Sequence, residues 1–400
     1  MPRYGGPAGC RRSEADSFSE IVRVTHFDPH RLTPSASLNR VMLVDLPGLA
    51  VDAGVRGKTG FQLASADALT GLIRWRASEL GLDPDCDGHE LRLAFDGCLG
   101  SPEARVRTTA QAIGRCIGRN LGYLLLTLKR GDAVNRAARA EWDESYWRHW
   151  GRVERVWLGG GLVGGRLGPL VQEHARAVFE EAGIPEYSIQ VSPYAPVLAL
   201  VGAARHAPPN CELALSVDLG HTRVKRAISV YREGALTEMR LLPSLPTGWT
   251  EIEPSPDDSI QYQWAAQLLN EMVTRIADVG RGVGGSRPIP TLLSLSAYVR
   301  AGHPMPAQDG AYVQLRRVTD NLQQELTRRI SVRLGRAVNI LLIHDGTAAA
   351  AVYAEASNAA VVSLGTALGV GFSTGAGENS LRPMRTGFTV AILAPDGAER

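Results

Sequence analysis

Three apolar segments of this chain each run straight into a glycine-rich turn: 153–158 into Gly159, Gly160 and Gly161, 213–217 into Asp218-Leu-Gly220, and 360–364 into Gly365-Thr366. A strand that stops on glycine leaves backbone amides uncovered, and an apolar strand needs a second layer over it. Helical periodicity fills much of the chain between them, so the pattern is α/β with some hairpins. From Val106 the residues Ala110, Ile113, Ile117, Leu121, Leu124 and Leu128 follow at threes and fours, which describes a long helix with one buried stripe. Gly114, Gly118 and Gly122 lie four apart on it and predict the close approach of a second element.

The chain has 400 residues, enough for two domains, and 44% hydrophobic with 21% charged residues excludes disordered and collagen-like classes. Lys plus Arg number 43 against 41 Asp plus Glu, so no overall field gathers nucleic acid or an anionic membrane. Lysine occurs only at 58, 129 and 225, a bias that carries no function. Cys10, Cys86, Cys98, Cys116 and Cys211 show no metal-ligand spacing, which suits a reducing compartment. No apolar core follows Arg3, Arg11 and Arg12, and no run approaches a membrane span, so a cytoplasmic protein is expected.

Residues 1–40 read as a loose arm leading to a strand at 41–44. A helix follows the triple glycine and stops at Gly183, 197–204 is a short apolar helix, and 206–210 breaks the chain at a domain boundary. Segments 213–217 and 224–231 form a strand pair. Segments 243–262 and 280–310 read as loop-rich, with a helix over 260–279 between them. A helix over 318–334 ends at Gly335, 338–343 reads as a central apolar strand, and an alanine-rich helix runs to about Ser357. Strands at 360–364 and 369–373 flank Gly365-Thr366, and 387–393 adds another.

Two motifs mislead. Gly57-Lys58-Thr59 lacks the earlier glycine of a P-loop and follows no clear strand, and Asp45-Leu-Pro-Gly48 precedes it where a GTPase would have it follow. His26, Asp28 and His30 sit within five residues, but Pro29 bends the segment and no fourth ligand is evident.

The chemistry lies in the turns and one acid. Asp218 leaves a strand beside Gly220, His221 and Thr222, an arrangement that can hold magnesium through water while amides and the Thr222 hydroxyl face phosphate. Lys225 pairs with phosphate or faces solvent. Gly365 and Thr366 repeat the turn without its acid, and Gly159, Gly160 and Gly161 leave room for an adenine or ribose. Asp345 follows an apolar strand and opens a helix, as an N-cap or as a base that takes a hydroxyl proton during phosphoryl transfer.

The string Asp218 to Lys225 resembles the first phosphate motif of the actin-like ATPase superfamily, which holds hexokinases, Hsp70 chaperones and the ROK group of sugar kinases. Residues 364–372 resemble its second phosphate motif, 156–161 with 200–204 its adenosine motif, and 344–350 the sugar-kinase segment bearing the base. The resemblance implies two ribonuclease-H-like domains around a cleft, ATP and Mg2+ as cofactors, Asp218 at the metal, Asp345 as general base, and a sugar or sugar-like alcohol as acceptor.

The motif order differs from the family's: the long helix and adenosine motif precede Asp218, Asp345 and Gly365. A circular permutation joined through 205–212 accounts for this and gives a discontinuous domain of 1–204 plus 356–400 beside one of 213–355. His344 stands where the sugar kinases usually have Asn, and is either a substrate contact or a buried histidine. The zinc-binding cysteines and the helix-turn-helix of ROK relatives are absent from the sequence. Thr247, Trp249 and Glu251, with Asp257 and Asp258 beyond, are the substrate candidates. An ATP-driven switch or assembly protein and a silent scaffold are the rival readings. The 1–60 arm either forms a homodimer contact or completes the second domain.

Overall fold

The computed structural model describes residues 27–247, 257–283, 287–307, 310–373 and 381–392. Trp249 and Glu251 lie outside them. The chain opens with short helices α1 (Gly60–Ala64), α2 (Ala66–Trp75), α3 (Ala77–Leu80) and α4 (Gly88–Leu99), then the long α5 (Ala104–Arg130), α6 (Ala133–Ala137) and α7 (Glu144–Arg152). Next come β1 (Arg155–Gly159), α8 (Leu167–Glu181), β2 (Ser188–Val191) and α9 (Leu198–Ala204). The second half holds β3 (Leu213–Leu219), β4 (Arg223–Arg232), β5 (Ala235–Pro246), α10 (Asp258–Arg281), β6 (Ile289–Leu295) and a small hairpin of β7 (Val299–Arg300) and β8 (His303–Pro304). It closes with α11 (Leu322–Leu334), β9 (Val338–His344), α12 (Asp345–Ala351), β10 (Ala359–Leu364), β11 (Leu368–Phe372) and β12 (Met384–Ile392).

The fold is α/β with two mixed sheets. One has the order β11-β10-β1-β2 and the other β12-β5-β4-β3-β6-β9. In the first, β10 lies between β1, which is parallel to it, and β11, which is antiparallel. In the second, β3, β4 and β5 form an antiparallel meander, while β6 and β9 extend it in parallel.

The glycine ladder of α5 does what its spacing predicts. A Cβ on Gly118 would lie 3.0 Å from the Val171 carbonyl of α8, and one on Gly122 would lie 2.8 Å from that of Ala175. Any side chain there would force the two helices apart. At the junction of the sheets, α9 and α12 cross almost in backbone contact: a Cβ on Gly202 would stand 1.7 Å from the Ala348 oxygen. Their small side chains share one core with Leu292, Ile343 and Val361 from both sheets.

Several expectations are corrected. Segment 41–44 makes only an isolated bridge from Met42 to Thr59, and residues 27–46 bury Phe27, Leu32, Leu38, Leu43 and Leu46 in the core beside the four-stranded sheet. The arm from 27 onward thus completes that half. The strand at 338–344 lies at a sheet edge, with Asn339 and Leu341 exposed. Apolar composition alone does not separate a covered edge from a centre. The alanine-rich helix ends at Ala351, six residues short of Ser357. Within 280–310, expected to be loop, β6 forms a buried inner strand; Pro288 just before it and Pro290 at its second position disguise it. Strand β12 pairs with β5 in the six-stranded sheet, so the C-terminal segment does not stay wholly with 1–204. Thr59, the apparent P-loop threonine, is a helix cap, its hydroxyl accepting from the Gln62 amide while its own amide donates to Gln62. Among the described residues no helix is long and apolar enough to cross a membrane.

Candidate functional site

One cleft of about 1030 Å³ opens between the two halves, and its lining includes Asp218, Gly220, His221, Thr222, Lys225, Asp345, Gly160, Gly161, Gly365 and Thr366. Elements far apart in the chain therefore meet where the sequence motifs require. Gly159 lies just behind, packed on Leu198.

The first turn grows from the β3–β4 hairpin. Asp218 sits one pair before its end, opposite Lys225, with Leu219 and Val224 as the last pair. The Asp218 carboxylate is buried; Lys225 Nζ donates to its Oδ2 at 2.9 Å and the Ser294 hydroxyl to its Oδ1 at 2.5 Å. Lys225 thus meets the acid directly. The turn is braced from outside: the Thr247 amide and hydroxyl donate to the carbonyls of Thr222 and His221, and the Tyr312 hydroxyl donates to that of Gly220. Thr247 is only 2% exposed, which corrects its reading as a substrate contact: it is a brace for the turn.

The second turn grows from β10–β11, whose last pair is Leu364 and Leu368. Asn39 clamps its base like a fragment of strand, its Nδ2 donating to the Leu368 carbonyl and its Oδ1 accepting from the Leu368 amide. The Ala66 amide, at the start of α2, donates to the Gly365 carbonyl at 2.8 Å. Gly160 adopts φ +92°, and a Cβ there would lie 2.2 Å from the Leu364 oxygen, so only glycine lets the β1 turn meet the β10 turn. Its amide donates to the Ala195 carbonyl, whereas Gly161 faces open space.

Asp345 stands at the exit of β9, as its place after an apolar strand predicts. Its side chain is 25% exposed; its Oδ1 accepts from the Gly346 amide at 2.7 Å, and the Ser296 hydroxyl also donates to it. Burial, reinforced by the Asp218 charge, pushes its carboxyl up to about 6. His344, and not Asp345, caps α12: its Nδ1 accepts from the Thr347 amide. That bond places the ring proton on Nε2, 3.3 Å from Asp345 Oδ1. The ring stacks on Tyr298 with centroids 4.4 Å apart, and burial holds it neutral, down to about 3. His344 is therefore a buried capping histidine whose Nε2 approaches Asp345 without hydrogen bonding to it.

A site of this kind can hold a polyanion against backbone amides and take a proton at Asp345. No group of three His, Cys, Asp or Glu suited to holding a metal directly occurs among the described residues. Two carboxylates that repel one another across a cleft nevertheless favour a cation between them. Sequence reasoning missed Asn39, Ala66, Thr70, Arg92 and Ser296. The Asp87-Gly-His-Glu90 string is a readable cap for α4, where Arg92 sits, but nothing local marks Asn39. Comparison with family models, with curated proteins and with solved structures gives no match for this chain.

Proposed function

We propose that this protein is an ATP-dependent phosphotransferase acting on a hydroxyl of a sugar or similar small polar metabolite, built on a circularly permuted actin-like ATPase fold. The observation that carries the reading is the convergence of Asp218, Asp345 and the turns at Gly160 and Gly365 on one cleft, although they are scattered from residue 160 to 366. The strand order β5-β4-β3-β6-β9, a meander followed by two parallel strands, supports a ribonuclease-H-like half. The four-stranded sheet, with a hairpin beside two parallel strands, supports a reduced second copy.

Asp218 is the residue suited to a magnesium ion held through water, and bound Mg-ATP supplies the phosphoryl group. The amides of the two turns bind the phosphate chain, and the bare backbone at Gly161 leaves room for the nucleoside. Asp345 accepts the proton of the acceptor hydroxyl, with the Gly346 amide fixing its orientation. The cleft lining continues past Asp345 to Ser296, Tyr298, Met305 and Arg40, which gives an acceptor room beside the base and favours a kinase over a nucleotide switch.

The test is thermal unfolding with and without Mg-ATP, followed by transfer from labelled ATP across a panel of sugars and polyols. Stabilisation by Mg-ATP together with acceptor-dependent transfer is the expected result. Absence of any nucleotide-dependent stabilisation overturns the reading, and stabilisation with hydrolysis but no acceptor leaves the switch in its place.

A further inference from the structure

The cleft carries a cation that none of the motifs accounts for. Arg92, on α4, lines it, and among the described residues its side chain makes no ion pair. Its Nη1 donates to the Thr70 hydroxyl at 2.7 Å. The Thr70 hydroxyl in turn donates to the Ala66 carbonyl at 2.8 Å, and the Ala66 amide donates to the Gly365 carbonyl of the second turn. Three hydrogen bonds thus tie the guanidinium to the turn at Gly365 through the first coil of α2. On its other side, His89 feels the charges of both Arg92 and Arg223, and Arg223 directly follows Thr222 of the first turn. Arg92 is therefore tied to the second turn by hydrogen bonds, while Arg223 of the first turn acts on the same histidine only through its charge.

Of the other cations lining the cleft, Arg40 donates to the Pro34 carbonyl, and the two at the first turn are held by their neighbours. Lys225 meets Asp218, and Arg223 donates to both the hydroxyl and the carbonyl of Ser244. Burial draws the Arg92 side chain below its ordinary range although Asp67 and Asp87 favour its charge from a distance, so an arriving anion would give it a direct partner. Its planar fork suits phosphate oxygens.

We propose that Arg92 is a third phosphate contact, brought to the cleft by α4 and held by Thr70, which binds the terminal phosphate of a nucleoside triphosphate. The inference rests on the nucleotide reading above and deepens it. Arg92 offsets charge on the transferred group from a helix outside the two hairpins, as an arginine supplied within the same chain.

Calorimetric titration of the full chain with Mg-ATP and with Mg-ADP tests it. Arg92→Met is expected to weaken ATP roughly 10–100-fold, the loss of charge-assisted hydrogen bonds, while ADP binds as in the wild type. Its unliganded melting temperature stays at or above that of the wild type, since an unpaired cation is removed. Thr70→Val, which frees the guanidinium but keeps its charge, gives a smaller loss with the same preference for ATP. An Arg92→Met chain that binds ATP normally, or that loses ATP and ADP equally, overturns the assignment while leaving the kinase reading intact. A wild-type chain that binds neither nucleotide overturns both. If Arg92→Met does not fold, Arg92→Gln is put through the same pair of titrations.

Discussion

The two hairpin turns occupy equivalent positions and carry opposite chemistry. One pair before the end of β3–β4 stands Asp218 opposite Lys225; at the same place in β10–β11 stands Ser363 opposite Gly369. The first turn is charged and braced by Thr247 and Tyr312 of its own half. The second is uncharged, and its braces Asn39 and Ala66 are some 300 residues away in the chain. A common backbone device thus carries an ion pair in one sheet and no charged side chain in the other, and on the proposed reading only the charged copy answers to metal.

The variants that break this contrast are ordered by size. On the proposed kinase reading, Asp345→Asn removes the general base, and transfer is expected to fall about 10²–10⁴-fold with nucleotide affinity retained. The wild-type rate should fall as pH drops through about 6, because Asp345 must be ionised to accept a proton and burial with the Asp218 charge raises its carboxyl. Mg-ATP is a net anion and its binding further desolvates the cleft, so saturating Mg-ATP should move the midpoint higher. Rate against pH, with and without saturating nucleotide, checks the sign.

Asp218→Asn should remove the magnesium-dependent part of ATP binding and leave Lys225 without its carboxylate, whereas no variant at Ser363 should show a magnesium-dependent change. Titration with and without magnesium reads the contrast. Asn39→Leu deletes both hydrogen bonds to Leu368 and should destabilise the fold by about 1–3 kcal/mol, with the second turn loosened first. Denaturant unfolding and amide exchange at 365–368 measure it. Thr247→Val, which removes one hydroxyl bond to the first turn, is expected to cost about 1 kcal/mol by the same unfolding measurement.

The acids and glycines of the site were legible because their roles depend on local sequence. A glycine is needed where Gly160 meets Leu364, and an acid at the exit of an apolar strand stands out at Asp218 and at Asp345. The braces were not legible: Asn39, Thr247 and Thr70 each act through a pair of hydrogen bonds, Asn39 across more than 300 residues, and an isolated polar residue carries no period or spacing. Thr247 was noticed for its loop and misread, since burial is not visible from composition. Strand β6 was hidden by prolines, and β9 was placed centrally because its apolar run does not reveal which neighbours exist. The crossing of β12 into the six-stranded sheet depends on pairing that no turn signal announces.

The pairing of β1 with β10 has a consequence for synthesis on the ribosome. Arg155 is made some 200 residues before its partner Ala359, so at about 5–20 residues per second the inner edge of β1 waits roughly 10–40 s for its neighbour. Throughout that interval the nascent chain presents an apolar, unpaired strand to its surroundings. A chain stopped after residue 355 is accordingly expected to precipitate or to stay on a chaperone, a fate read by its solubility, while the complete chain buries that edge with nearly its last described strands.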